Sequence, residues 1–155
     1  MPKIATADRV DRDALLEFLR PRHQAVLLTR RRSGGPQLSP VTCGLDADGR
    51  IVVSTYPQRA KVLNARRDPD VSLCVLSPEW DGAWVQVDGR AEVLELPDAL
   101  EPLVEYYRSI SGEHPDWDEY RAAMTRQGKA LLRITVTAWG PVATGGFPAG
   151  LSDKP

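Results

Sequence analysis

The chain has 155 residues, of which 42% are hydrophobic and 26% charged, and its formal net charge is −1. This length predicts one domain with its own core, and the near-neutral, evenly spread charge argues against a nucleic-acid-binding surface. No 18-residue apolar run or signal-peptide pattern occurs, so we expect a cytoplasmic protein with no membrane contact. The two histidines and two cysteines lack metal-ligand spacing, and no metal site is predicted.

The first half of the chain predicts a helix followed by three strands, after a loose segment at residues 1–10. Asp11 or Asp13 can cap the helix, which ends at Pro21. The strands cover residues 24–31, 37–45 and 51–55. The first two form a hairpin around the Ser-Gly-Gly-Pro turn at 33–36. The third strand is a β-branched run typical of a buried strand.

The stretch 50–69 connects that buried strand to a short helix, which opens at Arg59 and stops before Pro69. The amide groups at a helix start are unpaired and carry a partial positive charge. Arg59 and Lys61 add two full positive charges at this junction, which makes it a possible phosphate site. The residues alone leave open whether both cations are simply solvated.

The second half predicts two strands, two helices and a final strand. Their ranges are 71–76, 83–96, 97–112, 115–126 and 129–139. Gly89 lies at the middle of the long strand's inward face, among Val85, Val87, Ala91 and Val93, and marks a bulge or sharp bend. Leu132, Ile134, Val136 and Ala138 are expected to face inward in the last strand. Residues 140–155 predict no regular structure. This order predicts an α+β protein with a mainly antiparallel sheet, most simply a small closed barrel.

The sequence offers no catalytic constellation of its own. Neither His23 nor His114 is near a nucleophile motif, and no phosphate-binding glycine loop follows a strand. If the protein is an enzyme, a cofactor is expected to supply the reactive centre while the chain positions it.

Three segments in order resemble the pyridoxamine 5′-phosphate oxidase-like family of flavin- and deazaflavin-binding split barrels. They are the segments PQLSPV at 36–41, IVVST at 51–55 and RAKVLNARRDP at 59–69. A later segment, YRSISGEHPDWDEYR at 107–121, is similar to the branch that uses cofactor F420. The resemblance covers residues 12–142, with residues 1–155 forming one domain.

The resemblance implies a six-stranded split β-barrel with flanking helices, in a homodimer that holds a cofactor in each groove between subunits. Arg59 and Lys61 would hold the cofactor phosphate, helped by Ser54 and Thr55. The other implied contacts are Gln37, Ser39, Pro40, Val41 and Thr42 along the ring, Val62 and Asn64 on the helix, and Trp80 or Trp84 from the partner subunit. Packing is the alternative role for either tryptophan. Arg30–Arg32 could meet the cofactor tail or stay solvated.

As a function, the resemblance implies an oxidoreductase that uses reduced F420 to transfer hydride to a conjugated small molecule, such as a quinone, an enone or a tetrapyrrole like biliverdin. One alternative is an FMN-dependent oxidase of pyridoxamine or pyridoxine 5′-phosphate. That substrate would need a second basic cluster near the C-terminus, and beyond Lys129 the last strand and the tail hold only Arg133 and Lys154. Another alternative is a non-catalytic carrier of flavin, haem or F420.

Overall fold

A computed structural model describes residues 3–151 of the chain. The strands are β1 Thr6–Asp8, β2 Gln24–Arg30, β3 Pro36–Leu45, β4 Ile51–Thr55, β5 Asp70–Leu76, β6 Val85–Leu94, β7 Ala130–Trp139 and β8 Val142–Thr144. The helices are α1 Arg12–Leu19, α2 Ala60–Arg67, α3 Leu100–Ser111 and α4 Trp117–Gln127, with a 3₁₀ turn at Ala149–Leu151. The element order from α1 to β7 is the predicted one.

Six strands close into an antiparallel barrel in the order β2-β3-β4-β7-β6-β5. This confirms the predicted α+β split barrel. The barrel interior is filled by apolar side chains of alternating strand positions, such as Leu27, Val53, Leu73 and Ile134, each at most 2% exposed. The α1 helix, capped by Asp11 as predicted, adds Leu15 and Leu19 to this core.

The α3 and α4 helices cover the outside of the barrel over β4 and β7. Val52 and Leu131, on the outer faces of these strands, form a second apolar cluster with Leu103, Val104 and Tyr120. The β4 strand is therefore buried on both faces, which explains why its sequence is apolar without alternation. This packing fixes α3 beside β3 and β4, where the predicted site residues lie.

The predicted irregularity at Gly89 is confirmed, but the extra residue lies on the facing strand. The register moves from Asp88↔Ala138 to Gly89↔Val136, so Thr137 of β7 has no counterpart on β6. One extra residue reverses the side-chain alternation beyond it. The prediction that Ala138 faces inward is consequently wrong: Ala138 is exposed, and Trp139 packs against the core instead.

The two chain ends are more ordered than the sequence predicts. Residues 1–10 were expected to be loose and residues 140–155 irregular, yet β1 and β8 pair antiparallel with Ala7 opposite Ala143. These strands have three residues each, too few to show a local pattern, and their partners come from opposite ends of the chain. Residues 152–155 of the predicted tail lie outside the described part.

Candidate functional site

A cavity of about 470 Å³ opens where β3 separates from β4. The two strands pair only from Cys43↔Val53 to Leu45↔Ile51. Residues 36–42 of β3 pair with β2 on one edge, and no described strand pairs with their other edge. The β3 cavity, as we call it, is lined by Pro40, Val41, Thr42, Val53, Ser54, Lys61, Tyr106, Tyr107, Tyr120, Met124, Gln127 and Lys129. Five predicted cofactor residues therefore meet here: Pro40, Val41, Thr42, Ser54 and Lys61.

The backbone of β3 presents polar groups to this cavity. The Cys43 amide donates to the His23 carbonyl on the β2 side. Because backbone groups alternate in direction along a strand, the Pro40 and Thr42 backbone groups point to the open edge. The Tyr106 hydroxyl donates to the Thr42 carbonyl over 3.1 Å, which confirms this direction. A planar ligand lying along β3 can thus be recognised by main-chain hydrogen bonds.

The start of α2 brings positive charge to the same cavity. Arg59 is the N-cap residue but makes no side-chain hydrogen bond to the helix, and the first turn contains no acidic residue. The first turns of α1, α3 and α4 each contain at least one carboxylate, as the helix dipole favours. Burial, and secondarily the charge of Arg59, lowers the pKa of Lys61. An anion bound here would offset both unfavourable effects.

Lys129 is a cation of this site that the sequence analysis missed. Thr55 pairs with Ala130, so Tyr56 just after β4 lies close to Lys129 just before β7. The Lys129 ammonium lies 4.2 Å from the centre of the Tyr56 ring, and the Arg59 guanidinium carbon lies 5.7 Å from it. The sequence holds one signal for such a role: lysine occurs at only four positions, so each lysine is an uncommon choice in this chain.

An aromatic wall from α3 and α4 closes the other side of the β3 cavity. Tyr106, Tyr107 and Tyr120 line it together with Met124. Tyr120 donates its hydroxyl to the Leu103 carbonyl over 2.8 Å, and burial raises the pKa of Tyr120 to about 12. Burial also raises the pKa of Tyr106, so both phenols stay protonated and uncharged near neutral pH. None of these four residues was named as a site residue from the sequence, although Tyr107 and Tyr120 lie in the segment that is similar to the F420 branch.

Two other predicted residues, Gln37 and Asn64, are not brought to the cavity. Thr29, which is fully buried, donates to the Gln37 side-chain carbonyl over 3.2 Å and accepts from the Asn64 amide over 3.1 Å. Arg67 donates to the Asn64 side-chain oxygen at 3.3 and 3.4 Å. Their side chains thus tie α2 to β2 and β3.

Asn64→Ala is therefore expected to destabilise the fold by about 1–3 kcal/mol, because it removes the hydrogen bond to the buried Thr29 hydroxyl and the acceptor of the Arg67 guanidinium. Leu63→Ala on the same helix is expected to cost less than about 1 kcal/mol, since Leu63 is 51% exposed. Urea denaturation of both variants measures the two costs. A larger loss in Leu63→Ala would contradict the assigned role of Asn64.

Three further predicted residues are largely buried. Val62 is 0% exposed and Thr55 is 5% exposed, so their side chains belong to the interior beside the cavity. The Ser39 hydroxyl oxygen is buried and has no hydrogen-bond partner within the described residues. Ser39 pairs with the core residue Leu27 in the β2–β3 ladder, so its side chain shares the inward face of the barrel, and Ser39 is not part of the cavity lining.

Trp80 and Trp84 lie at a different surface of the chain. Together with Cys74, Leu76 and Phe147 they line an apolar cleft of about 580 Å³. Trp80 is 90% exposed, whereas Trp84 is 39% exposed and its backbone bridges Ala143. Neither residue belongs to the lining of its own chain's β3 cavity.

The described residues contain no cluster of three or more His, Cys, Asp or Glu that could hold a metal ion. Over the same range, no helix has both the length and the apolar character needed to cross a bilayer. The chemical groups that remain in the β3 cavity are cations, neutral phenols, hydroxyls and main-chain amides. Such a set can bind and orient an anionic ring system, but it contains no nucleophile–base pair.

A family model described as pyridoxamine 5′-phosphate oxidase matches residues 12–143 of the chain. These residues include the whole barrel and every residue that lines the β3 cavity.

Solved structures of low sequence identity share the fold. A conserved hypothetical protein of Mycobacterium tuberculosis is 23% identical with a TM-score of 0.72, and the alignment covers 90% of this chain and 89% of that one. A structure described as an F420 reductase is 20% identical with a TM-score of 0.59, covering 79% and 94%. An FAD-binding protein of Mesorhizobium loti is 17% identical with a TM-score of 0.62, covering 92% and 98%.

Proposed function

Since the chain belongs to the pyridoxamine 5′-phosphate oxidase family, we propose that it is an F420-dependent oxidoreductase that reduces a conjugated organic acceptor. Quinones, enones and tetrapyrroles such as biliverdin are the acceptor classes. The observation that carries this proposal is the β3 cavity, in which the cationic start of α2 lies beside an open strand edge. A structural relative described as an F420 reductase supports it.

The residues of the cavity fit an anionic, ring-bearing cofactor. Arg59 and Lys61 would hold its phosphate at the start of α2, with Ser54 at the end of β4 adding a hydroxyl. The open edge of β3 at Pro40 and Thr42 would position the ring through main-chain groups. Reduced F420, when bound, supplies a hydride, and the acceptor takes its proton from solvent.

We place the acceptor against the aromatic wall of the cavity. Tyr106, Tyr107 and Tyr120 present flat, uncharged surfaces opposite the β3 edge, and such surfaces favour stacking with planar molecules. The hydroxyls of Tyr106 and Tyr120 already donate to backbone carbonyls, so these two rings offer stacking surfaces and add no charge. This set of groups suits a hydride transfer that needs little general acid–base catalysis.

The alternative FMN-dependent pyridoxine phosphate oxidase has less support. Its substrate carries a phosphate that needs a second cationic position near the C-terminus. Among the described cations of that region, Arg133 pairs with Glu92 over 2.5 Å, and Lys129 shares the Tyr56 ring with Arg59, so it belongs to the same basic group as Arg59 and Lys61. The other residue considered, Lys154, lies outside the described part. A carrier without turnover remains distinct from both enzymes because it would bind the cofactor and consume no acceptor.

We further propose that the functional unit is a homodimer in which Trp80 reaches the partner subunit's site. Trp80 is the more exposed of the two tryptophans and lies in the loop before β6, while the backbone of Trp84 is held by Ala143. The apolar cleft around Trp80 is of the kind that partner contacts cover. Sedimentation velocity tests the assembly: a monomer at micromolar concentration would contradict it.

The deciding experiment is a fluorescence titration of the purified protein with F420 and, in parallel, with FMN. We expect F420 to bind with micromolar or lower Kd and FMN to bind more weakly. Oxidation of reduced F420 in the presence of a quinone, an enone or biliverdin then separates an enzyme from a carrier. A clear preference for FMN would contradict the F420 assignment, and binding of neither would remove the cofactor role of the β3 cavity.

A further inference from the structure

Three cations surround one side of the β3 cavity without any carboxylate to balance them. Lys61 and Lys129 line the cavity, and Arg59 shares the Tyr56 ring with Lys129. Within residues 3–151, none of the three takes part in an ion pair. Other cations on neighbouring elements are paired: Arg66 with Glu95, and Arg133 with Glu92.

Lys129 reaches the cavity from a different element than Arg59 and Lys61, since it stands just before β7 while they stand at the start of α2. The pairing of β4 with β7 puts Thr55 opposite Ala130, which brings Lys129 to the Tyr56 ring. A ring face attracts an ammonium group and restricts where it can go. Lys129 is half-buried, so its position is set by the barrel and by Tyr56 rather than by solvent.

We propose that Lys129 forms a second anion-binding position beside Arg59 and Lys61, so that the cavity takes a ligand with negative groups at two places. This inference rests on the proposed function where the ligand is F420, whose phosphate is followed by a carboxylate-bearing tail. A ligand whose only anionic group is one phosphate would use Arg59 and Lys61 and gain less from Lys129.

Arg30–Arg32, the other cationic group considered for the tail, lie at the opposite end of α2. The Arg67 guanidinium, at the last residue of α2, donates to the Arg30 carbonyl over 3.3 Å. Arg59 and Lys61 stand at the first turn of this eight-residue helix, which is about 12 Å long. The hairpin is thus tied to the last residue of α2, while the proposed phosphate position is at the first turn and Lys129 lines the cavity itself.

Inorganic pyrophosphate and phosphate probe this position without any cofactor. We expect pyrophosphate to raise the Tm of the wild-type protein more than phosphate does at equal ionic strength. Lys129→Gln should lose that extra stabilisation, while Lys129→Arg and the hairpin variant Arg31→Gln should keep it. An equal effect of the two anions on the wild type, or a full pyrophosphate effect in Lys129→Gln, would overturn the proposal.

Cofactor titration extends the test and separates it from the proposed function. We expect Lys129→Gln to weaken F420 binding roughly tenfold, as loss of a charge-assisted hydrogen bond does, and FMN binding less than about twofold. F420 binding that is unchanged in Lys129→Gln would overturn the second position while leaving the F420 assignment intact. If the wild type binds no F420 but Lys129→Gln loses the pyrophosphate effect, the F420 assignment fails and the second anion position stands.

Discussion

Lys61→Ala is expected to weaken F420 binding by about 1.5–3 kcal/mol, the contribution of a hydrogen bond to a charged group. Lys61 lines the β3 cavity at the first turn of α2, and no described carboxylate competes for its ammonium group. Fluorescence titration of the variant measures the loss directly. An unchanged titration midpoint would remove Lys61 from the site.

The stability of the unliganded protein is a second measurement on this variant, and we do not expect it to fall along with F420 binding. Burial lowers the pKa of Lys61, as does the charge of Arg59, so its positive charge is unfavourable before a ligand binds. Lys61→Ala should therefore leave the free energy of unfolding unchanged or slightly higher. Arg31→Ala, on the hairpin tip, is the matched control and should change neither stability nor F420 binding. If Lys61→Ala lost both stability and F420 binding, Lys61 would have a structural role instead.

Gly89→Ala is expected to destabilise the barrel by about 3 kcal/mol, at the upper end of what overpacking costs. A Cβ atom at this position would collide with the Thr135 carbonyl oxygen and would lie 2.8 Å from Cγ2 of Ile134. The nearest obstacle is backbone of β7, which cannot turn aside as a flexible side chain can. Urea denaturation monitored by tryptophan fluorescence gives the change in the free energy of unfolding.

Gly140→Ala is the matched control for this prediction. A Cβ atom there would meet only the Gln86 carbonyl oxygen, at an ordinary contact distance of 3.9 Å. We expect a change within about 0.5 kcal/mol. If both variants were equally stable, the close approach of β6 and β7 at Gly89 would not limit the fold.

Local sequence patterns predicted the order of the elements from α1 to β7 because each pattern reports a local property. The β-branched run of β4, the aspartates at the start of α1 and the prolines that follow α1 and α2 act within a few residues of themselves. The family resemblance then selected a six-stranded split barrel from the antiparallel folds that this order allows. The pairing of β1 with β8 was not predicted, because the two short strands come from opposite ends of the chain.

The sequence also predicted the cationic start of α2, since Arg59 and Lys61 stand together in the chain and need only a helix to present them. Which strand residues join them does not follow from local patterns. The family resemblance named Pro40, Val41, Thr42 and Ser54, which line the β3 cavity, and also Gln37, which does not. In β3 the backbone groups of Pro40 and Thr42 point to the open edge, whereas the Gln37 side chain accepts a hydrogen bond from Thr29. The sequence predicts that directions alternate along a strand. It does not predict which edge is open, because that depends on where the pairing of β3 with β4 stops.

By itself, the sequence determined the order of the elements, the family resemblance and one cationic helix start, each of which follows from short segments of the chain. Tertiary structure decided the rest of the site. The β4–β7 register brings Lys129 to Tyr56, and packing of α3 on β4 places the aromatic wall opposite β3. The one-residue irregularity opposite Gly89 likewise sends Ala138 outward and Trp139 inward. Each of these outcomes depends on how distant segments pair and pack against each other. No single segment contains that information, so local patterns cannot predict it.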